Sequence, residues 1–447
     1  MQRLFRLRIS KPRRQGGFTL LELLIAMAIM IVIMVGILNL FDRLNRLSRV
    51  QLNLAEMQQG LRVGQRELVH MTRMAGRGGL GGLALFADTD EDHARTVRGP
   101  ALQVRNNLPS SQNDREVVVG TGVYALQGTD ILIVRGAFNT PLYMVDGESS
   151  DFTIQPNGSG GRLATIVIKE TTEIGITQNF APLQALAANL KNEAIMMVDS
   201  LNPTRFEVGA LRGVSAGAGT ITLTVETQNS TQHADLYWPL SSHGGTVQLP
   251  FSDGVTYIGI LEEYRYYILE EFAVSGDNSS ELLPKLAYAR VFPGTEAPYQ
   301  PGDERIPIAD NVFDLQVALA FDSNADGLAN GQVTETADGT NDDWLFNGAD
   351  DRAKFNADNA PWNNPPAGVN SLLFARITTL SRSAEPDPNF LADSPLDRLE
   401  DHDYSSSNPS AFNRFNGTTV GINGQPVDAR KYRRQILQTV VDMRNVR

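Results

Sequence analysis

Hydrophobic and polar positions divide the chain into parts with different periods. Residues 18–40 form a run of 23 with a single charge, Glu22. At 1.5 Å per residue a helix of that length spans about 35 Å, enough to cross a bilayer core. Beyond it, apolar residues recur at Leu44, Leu47, Val50, Leu54, Met57, Leu61, Leu68, Met71 and Ala75, with Gly64 filling the one gap. Steps of three and four are the period of an amphipathic helix, whose apolar face needs a cover. Arg43, Arg46, Arg49, Gln51, Gln58, Arg62 and Glu67 fall mostly off the stripe. No proline interrupts residues 13–99. One helix is therefore predicted from Phe18 to about Ala75, roughly 85 Å long. Gly76, Gly78, Gly79, Gly81 and Gly82 then end it.

The period changes to two after residue 115. Short β-branched runs at 116–119, 130–135, 163–169, 195–198, 220–227, 255–261, 264–270, 286–292, 371–380 and 432–443 read as strands between turn clusters. Asn157–Gly160 and Ala216–Gly219 read as turns, and 182–192 as a short helix. Along 312–321, Phe313, Leu315, Val317, Leu319 and Phe321 share one side, with Asp314 and Gln316 on the other. Regular βα alternation is absent, which argues against a parallel doubly wound sheet. The expected class is α+β: a long N-terminal helix, half membrane-spanning and half amphipathic, packed on a large antiparallel β-rich head. No repeat or long linker divides that head.

Charge sharpens the picture of the N-terminus. Residues 1–17 carry six bases and no acid, whereas the remainder carries 33 bases against 51 acids. The bases should hold the N-terminus in the cytoplasm and place the head on the far side. A secretory signal peptide fits poorly, since its apolar region is shorter and ends in a small-x-small site, which Asn39-Leu40-Phe41-Asp42 lacks. With no cysteine, disulfides, thiolate catalysis and Cys-ligated zinc are excluded. The overall charge of −12 disfavours a general nucleic-acid binder. Glu22 is costly inside a membrane helix, so it reads as functional with a partner, or as snorkelling to the interface.

A basic leader, then Gly17-Phe18-Thr19-Leu20-Leu21-Glu22, then an unbroken apolar helix, resembles the class III signal of type IV pilins and type II secretion pseudopilins. The resemblance implies a prepilin peptidase that cuts after Gly17 and methylates Phe18. It also implies that Glu22 pairs with the N-terminal amine of a neighbouring subunit. The domains would then be a cleaved leader at 1–17, a helix at 18–76 with 18–40 in the membrane, and a head at 77–447.

Looser segments resemble the PilW-type large minor pilin: MTRMAGRGG at 71–79, YRYYIL at 264–269, residues 312–321 with DSNADG after them, FARITTLSRS at 374–383 and YRRQILQTVVDMRN at 432–445. The chain departs from many minor pilins in having no C-terminal disulfide, though a head this large can bury a core without one. The implied role is assembly and priming of a type IV pilus near its tip, supporting adhesion or twitching motility. The implied partners are other minor pilins, the major pilin, the peptidase, the inner-membrane assembly platform, membrane lipid and a tip adhesin. Two other readings stand beside it: a minor pseudopilin of type II secretion, and a pilus-associated tip adhesin. The largest minor pseudopilin typically lacks the acid found here at Glu22.

Residues 322–364 hold eight Asp and eight Asn, a supply of oxygen ligands. Asp322, Asn324 and Asp326, with Gly327 and the carbonyl of Leu328, match the first half of a calcium loop. Position twelve is Val333 where the motif wants Glu, and Glu335, Asp338, Asp342 or Asp343 would have to substitute. The plainer reading is an acidic solvated loop with Asx turns. Asp88, Asp90 and Asp92 form a weaker run with His93 in place of the glycine. Gly213-Val214-Ser215-Ala216-Gly217 matches GxSxG, but a glycine-rich turn and a strand follow instead of a helix. HExxH and Walker A patterns are missing. Trp238, Trp344 and Trp362 read as packing residues. An enzyme is not expected, and calcium is the one cofactor suggested.

Overall fold

The computed structural model describes residues 19–80, 86–88, 96–98, 101–145, 151–156, 162–188, 193–198, 206–227, 257–274, 280–294, 297–321, 344–347, 372–421 and 424–443. Two compact units result, one ending at Leu54 and the other running from Ala55.

Helix α1 spans Leu20–Met74, 55 residues without a break. In the first unit it has no cover of its own. Every residue from 20 to 49 is exposed, including Leu44 and Leu47 of the expected stripe. The covered stripe begins later, at Met57, and continues through Leu61, Gly64, Leu68, Met71 and Ala75, alternating steps of four and three. Gln65 and Thr72 are buried beside it. Gln65 is satisfied by donating to Ile377 O at 2.9 Å and accepting from Thr379 Oγ1 at 2.9 Å, as a buried amide requires. Gly76, Gly78 and Gly79, all at positive φ, stop the helix. The Gly76 N–H donates to Arg135 O at 2.9 Å. A Cβ on Gly78 would stand 1.8 Å from Met196 Cε, so the turn also needs the missing side chain.

The head is antiparallel throughout the described residues. Its larger sheet contains β1 (Leu102–Arg105), β2 (Ile131–Gly136), β3 (Phe152–Pro156), β4 (Arg162–Lys169), β5 (Ala194–Val198), β6 (Phe206–Gly217), β7 (Thr220–Thr227) and β8 (Tyr257–Leu269). The order from β1 is β1-β2-β8-β5-β6-β7-β4-β3. A short helix, α2 (Ala181–Ala188), lies between β4 and β5 in sequence and packs on β6. Strand β8 joins the two halves of this sheet. Its first residues pair with β5 and its later ones with β2 and with β9 (Lys285–Val291). Strand β10 (Ile306–Asp310) extends β9. A second sheet has the order β12 (Trp344–Leu345), β11 (Val312–Phe321), β13 (Leu372–Arg382), β14 (Arg434–Asp442).

One core joins these layers. Leu68 and Met71 of α1, and Ala75 just past its end, share a cluster with Leu132, Val134, Leu261 and Ile268 of the first sheet and with Leu315, Val317, Ile377 and Val441 of the second. The helix end is thus the common floor of both sheets. Burial of this apolar surface, at about 25 cal/mol per Å², is what holds the head together without a disulfide.

Three sequence expectations need correction. Segments 255–261 and 264–270 are one strand, because Glu262 and Glu263, which interrupt the apolar run, are buried with it. The turn expected at Ala216–Gly219 narrows to Ala218 and Gly219: β6 runs through Gly217, and Ser215 pairs with Thr222 of β7. Phe313 does not share a side with Leu315. A bulge between Val312 and Asp314 turns it toward Leu380, Tyr404 and Phe415.

Candidate processing and assembly site

The start of α1 is built from four residues. Thr19 precedes the first helical turn, where four backbone N–H groups have no intrahelical acceptor. The Glu22 N–H donates to Thr19 Oγ1 at 3.2 Å. In return the Thr19 N–H and Oγ1–H donate to Glu22 Oε2 at 2.9 and 3.0 Å. This is a reciprocal cap, in which threonine and an acid three residues later satisfy each other's ends. Glu22 Oε1 accepts no hydrogen bond among the described residues. The site is open among the described residues: Leu20 is 78% and Leu21 67% exposed.

From the sequence Glu22 has either an intermolecular partner or a place at the membrane interface, and Thr19 has no role. The T-x-x-E spacing at 19–22, immediately before an apolar run, was the signal that could have shown the cap. Gly17 and Phe18, the expected cleavage and methylation positions, lie outside the described residues. So do Asp322, Asn324, Asp326 and Leu328 of the expected calcium loop, the run at 89–93, and Trp238 and Trp362. Among the described residues no group of three or more acidic or histidine side chains is arranged to hold a metal. Trp344 is buried, with the Arg376 guanidinium 4.5 Å from its ring centre, a packing role as expected.

An acid–base cluster that the sequence concealed does converge in the head. Asp314 Oδ2 contacts His402 Nδ1 at 2.9 Å and accepts from Tyr404 Oη. Gln316 Nε2 donates to Asp314 Oδ1 at 2.9 Å. Burial and the Asp314 carboxylate push the Tyr404 hydroxyl well up from its ordinary value. All four side chains are at most 3% exposed. His402 Nε2 is closed off by Gly128, where a Cβ would stand 2.5 Å away. These four buried side chains form a connected polar network in the core.

Residues 12–38 match the family described as the prokaryotic N-terminal methylation motif. The chain carries a type IV pilin-like prepilin signal. The match begins in the basic segment, crosses Gly17, Phe18, the Thr19–Glu22 cap and ends within the exposed apolar stretch of α1. Neither curated proteins nor solved structures provide a match to the chain. The pilin-like signal and the apolar helix together fit membrane anchoring, and they imply association with other pilins and with pilus assembly machinery in general.

Proposed function

We propose that this chain is a PilW-type minor pilin of a type IV pilus, acting in assembly and priming near the filament tip. The observation that carries the reading is the methylation motif at 12–38, set on a helix that is wholly exposed to residue 49 and forms the core of a β head from Met57 onward. Such a helix needs a hydrophobic cover from lipid first and from neighbouring helices later.

In this reading the peptidase removes residues 1–17 and methylates Phe18. Glu22 Oε2 stays engaged by Thr19, and Oε1 receives the amine of a neighbouring subunit. Two opposite charges at low dielectric attract strongly, and either alone is costly there, so the pair sets the register of assembly. The head lies in the periplasm and then at the cell surface. Its size would crowd a shaft of repeated small subunits, which favours a tip or initiating position. Calcium at Asp322, Asn324, Asp326 and Leu328 belongs to the same proposal, and calorimetry of the full chain with Asp322→Ala and Asp326→Ala tests it.

The second reading is a minor pseudopilin of type II secretion. Glu22 favours the pilus over it. Cells lacking this chain should lose surface filaments while folded exoproteins are still secreted. The reverse pattern would move the assignment to the pseudopilus. Loss of adhesion with filaments intact would move it to a tip adhesin.

A further inference from the structure

Among the described residues the second sheet ends on a long open edge. Strand β14 pairs with β13 along Arg434–Asp442, and no described strand lies on its other side. At nine residues it is longer than the terminal strands Phe86–Asp88, β3, β10 and β12, of three, five, five and two residues. Natural sheets blunt such an edge with proline, inward charge, bulges or short length. Strand β14 has no proline, no lysine and no bulge, and its charges stand only at its two ends.

The register tells which backbone groups face outward. The Met443 N–H donates to Leu373 O at 3.0 Å, and Leu437 O accepts from Thr379 Oγ1, so odd-numbered residues bond toward β13. By antiparallel alternation, the N–H and C=O of Arg434, Ile436, Gln438, Val440 and Asp442 point to the open edge. Ile436 and Val440 are 44% and 49% exposed, large values for apolar side chains in a strand.

These five residues are self-complementary. An antiparallel pair of identical strands centred on Gln438 sets Arg434 opposite Asp442, Ile436 opposite Val440, and Gln438 opposite itself. Each pair would exchange two backbone hydrogen bonds. The adjacent registers set Arg434 opposite Val440 or Ile436 opposite Asp442, a charge against an apolar side chain. A parallel arrangement sets like charges together. Arg434 also donates to Ser394 O and to Asn416 Oδ1 within its own chain. We propose that β14 is a homotypic docking edge, joining the heads of two copies of this chain into a continuous sheet about a two-fold axis at Gln438.

The absence of native cysteine makes the test clean. In the full chain in membranes, Gln438→Cys should give a disulfide-linked dimer under mild oxidation. Paired Cα atoms about 5.5 Å apart are within disulfide range. Ile436→Cys alone and Val440→Cys alone should not self-link, since each thiol would be about 14 Å from its own copy at 3.4 Å per residue. Mixed together, those two variants should link, roughly tenfold over either alone. Adding Val440→Pro to Gln438→Cys removes an outward N–H without touching the bonds to β13, and should abolish the dimer with thermal unfolding little changed. A monomeric Gln438→Cys chain, equal self-linking at all three positions, or linkage to a different protein would each overturn the proposal.

Discussion

Asp130 and Val317 tie the two sheets together. The Val317 N–H donates to Asp130 Oδ2 at 2.7 Å, and the Asp130 N–H donates to Leu315 O at 2.9 Å. Asp130 Oδ1 accepts from the Asn107 N–H at 2.8 Å. Burial, together with the nearby Asp401 and Asp314 carboxylates, pushes the Asp130 carboxyl well above the usual range despite these donors. The folded state therefore holds this proton to higher pH than the unfolded chain does. Its contribution to stability is greatest below the usual carboxylate range and falls as pH rises through the folded value. Asp130→Asn removes the titration. Thermal unfolding of both proteins across acid to neutral pH should show the native chain's advantage over the variant shrinking as pH rises. A difference independent of pH would contradict this placement of the charge.

Glu263 has the opposite sign. Burial alone would raise its carboxyl, but Arg135 and Arg265 hold it below the ordinary value. It bonds Arg135 Nε with one oxygen and Arg265 Nε, at 2.7 Å, with the other. Its contribution is present above the usual carboxylate range and is lost as pH falls through the folded value. Glu263→Gln leaves two buried guanidinium groups facing an amide. It should destabilise the head by about 3–5 kcal/mol in denaturant unfolding at neutral pH. A loss below about 1 kcal/mol would mean that water or other groups take over the pairing.

Two glycines in α1 should respond differently to alanine. At Gly60 a new Cβ meets Ala309 Cβ and Asp310 O at 3.8 Å, an ordinary contact. Helix propensity then dominates, and Gly60→Ala should stabilise by about 1 kcal/mol. At Gly64 the Cβ would stand 2.6 Å from Leu286 Cδ2, in a fully buried side chain. Overpacking typically costs about 1–3 kcal/mol, so Gly64→Ala should be less stable than the native protein. Melting temperatures that shift in the same direction for both would argue against the close approach of α1 to β9.

What could be read from the chain follows the range of each interaction. The stripe from Met57 to Ala75 was legible because helix period is a local property. Leu44 and Leu47 continue that period but are exposed, with no cover among the described residues, and periodicity cannot say where a cover ends. Strand 312–321 was legible at both ends, but the bulge that turns Phe313 depends on its partner strand. Strand β6 was missed because its glycines imitate a turn, whereas pairing with β5 and β7 holds it extended. Asp314 and His402 are 88 residues apart, so only the fold brings them together. The Thr19–Glu22 cap was within reach of local reasoning, since it needs only a spacing of three.

That cap allows the charge of Glu22 to be separated from its hydrogen bonds. Glutamine at the third helical position also closes a reciprocal cap, so Glu22→Gln should retain the helix start. Glu22→Ala should lose both cap and charge, and Thr19→Ala only the threonine half of the cap, costing about 0.5–2 kcal/mol of local helix stability. If the charge pairs with a neighbour's amine, Glu22→Gln is processed normally yet fails to enter filaments, as Glu22→Ala does. Normal incorporation of Glu22→Gln would reduce Glu22 to a capping residue.

A chain that acts as proposed is cut after Gly17, methylated at Phe18 and assembled. The most direct test is the mass of the N-terminal peptide, taken in parallel from sheared surface filaments and from membranes. A peptide beginning at N-methylated Phe18 is expected in the filament fraction. A chain that still begins at Met1 in cells with an active prepilin peptidase would contradict it.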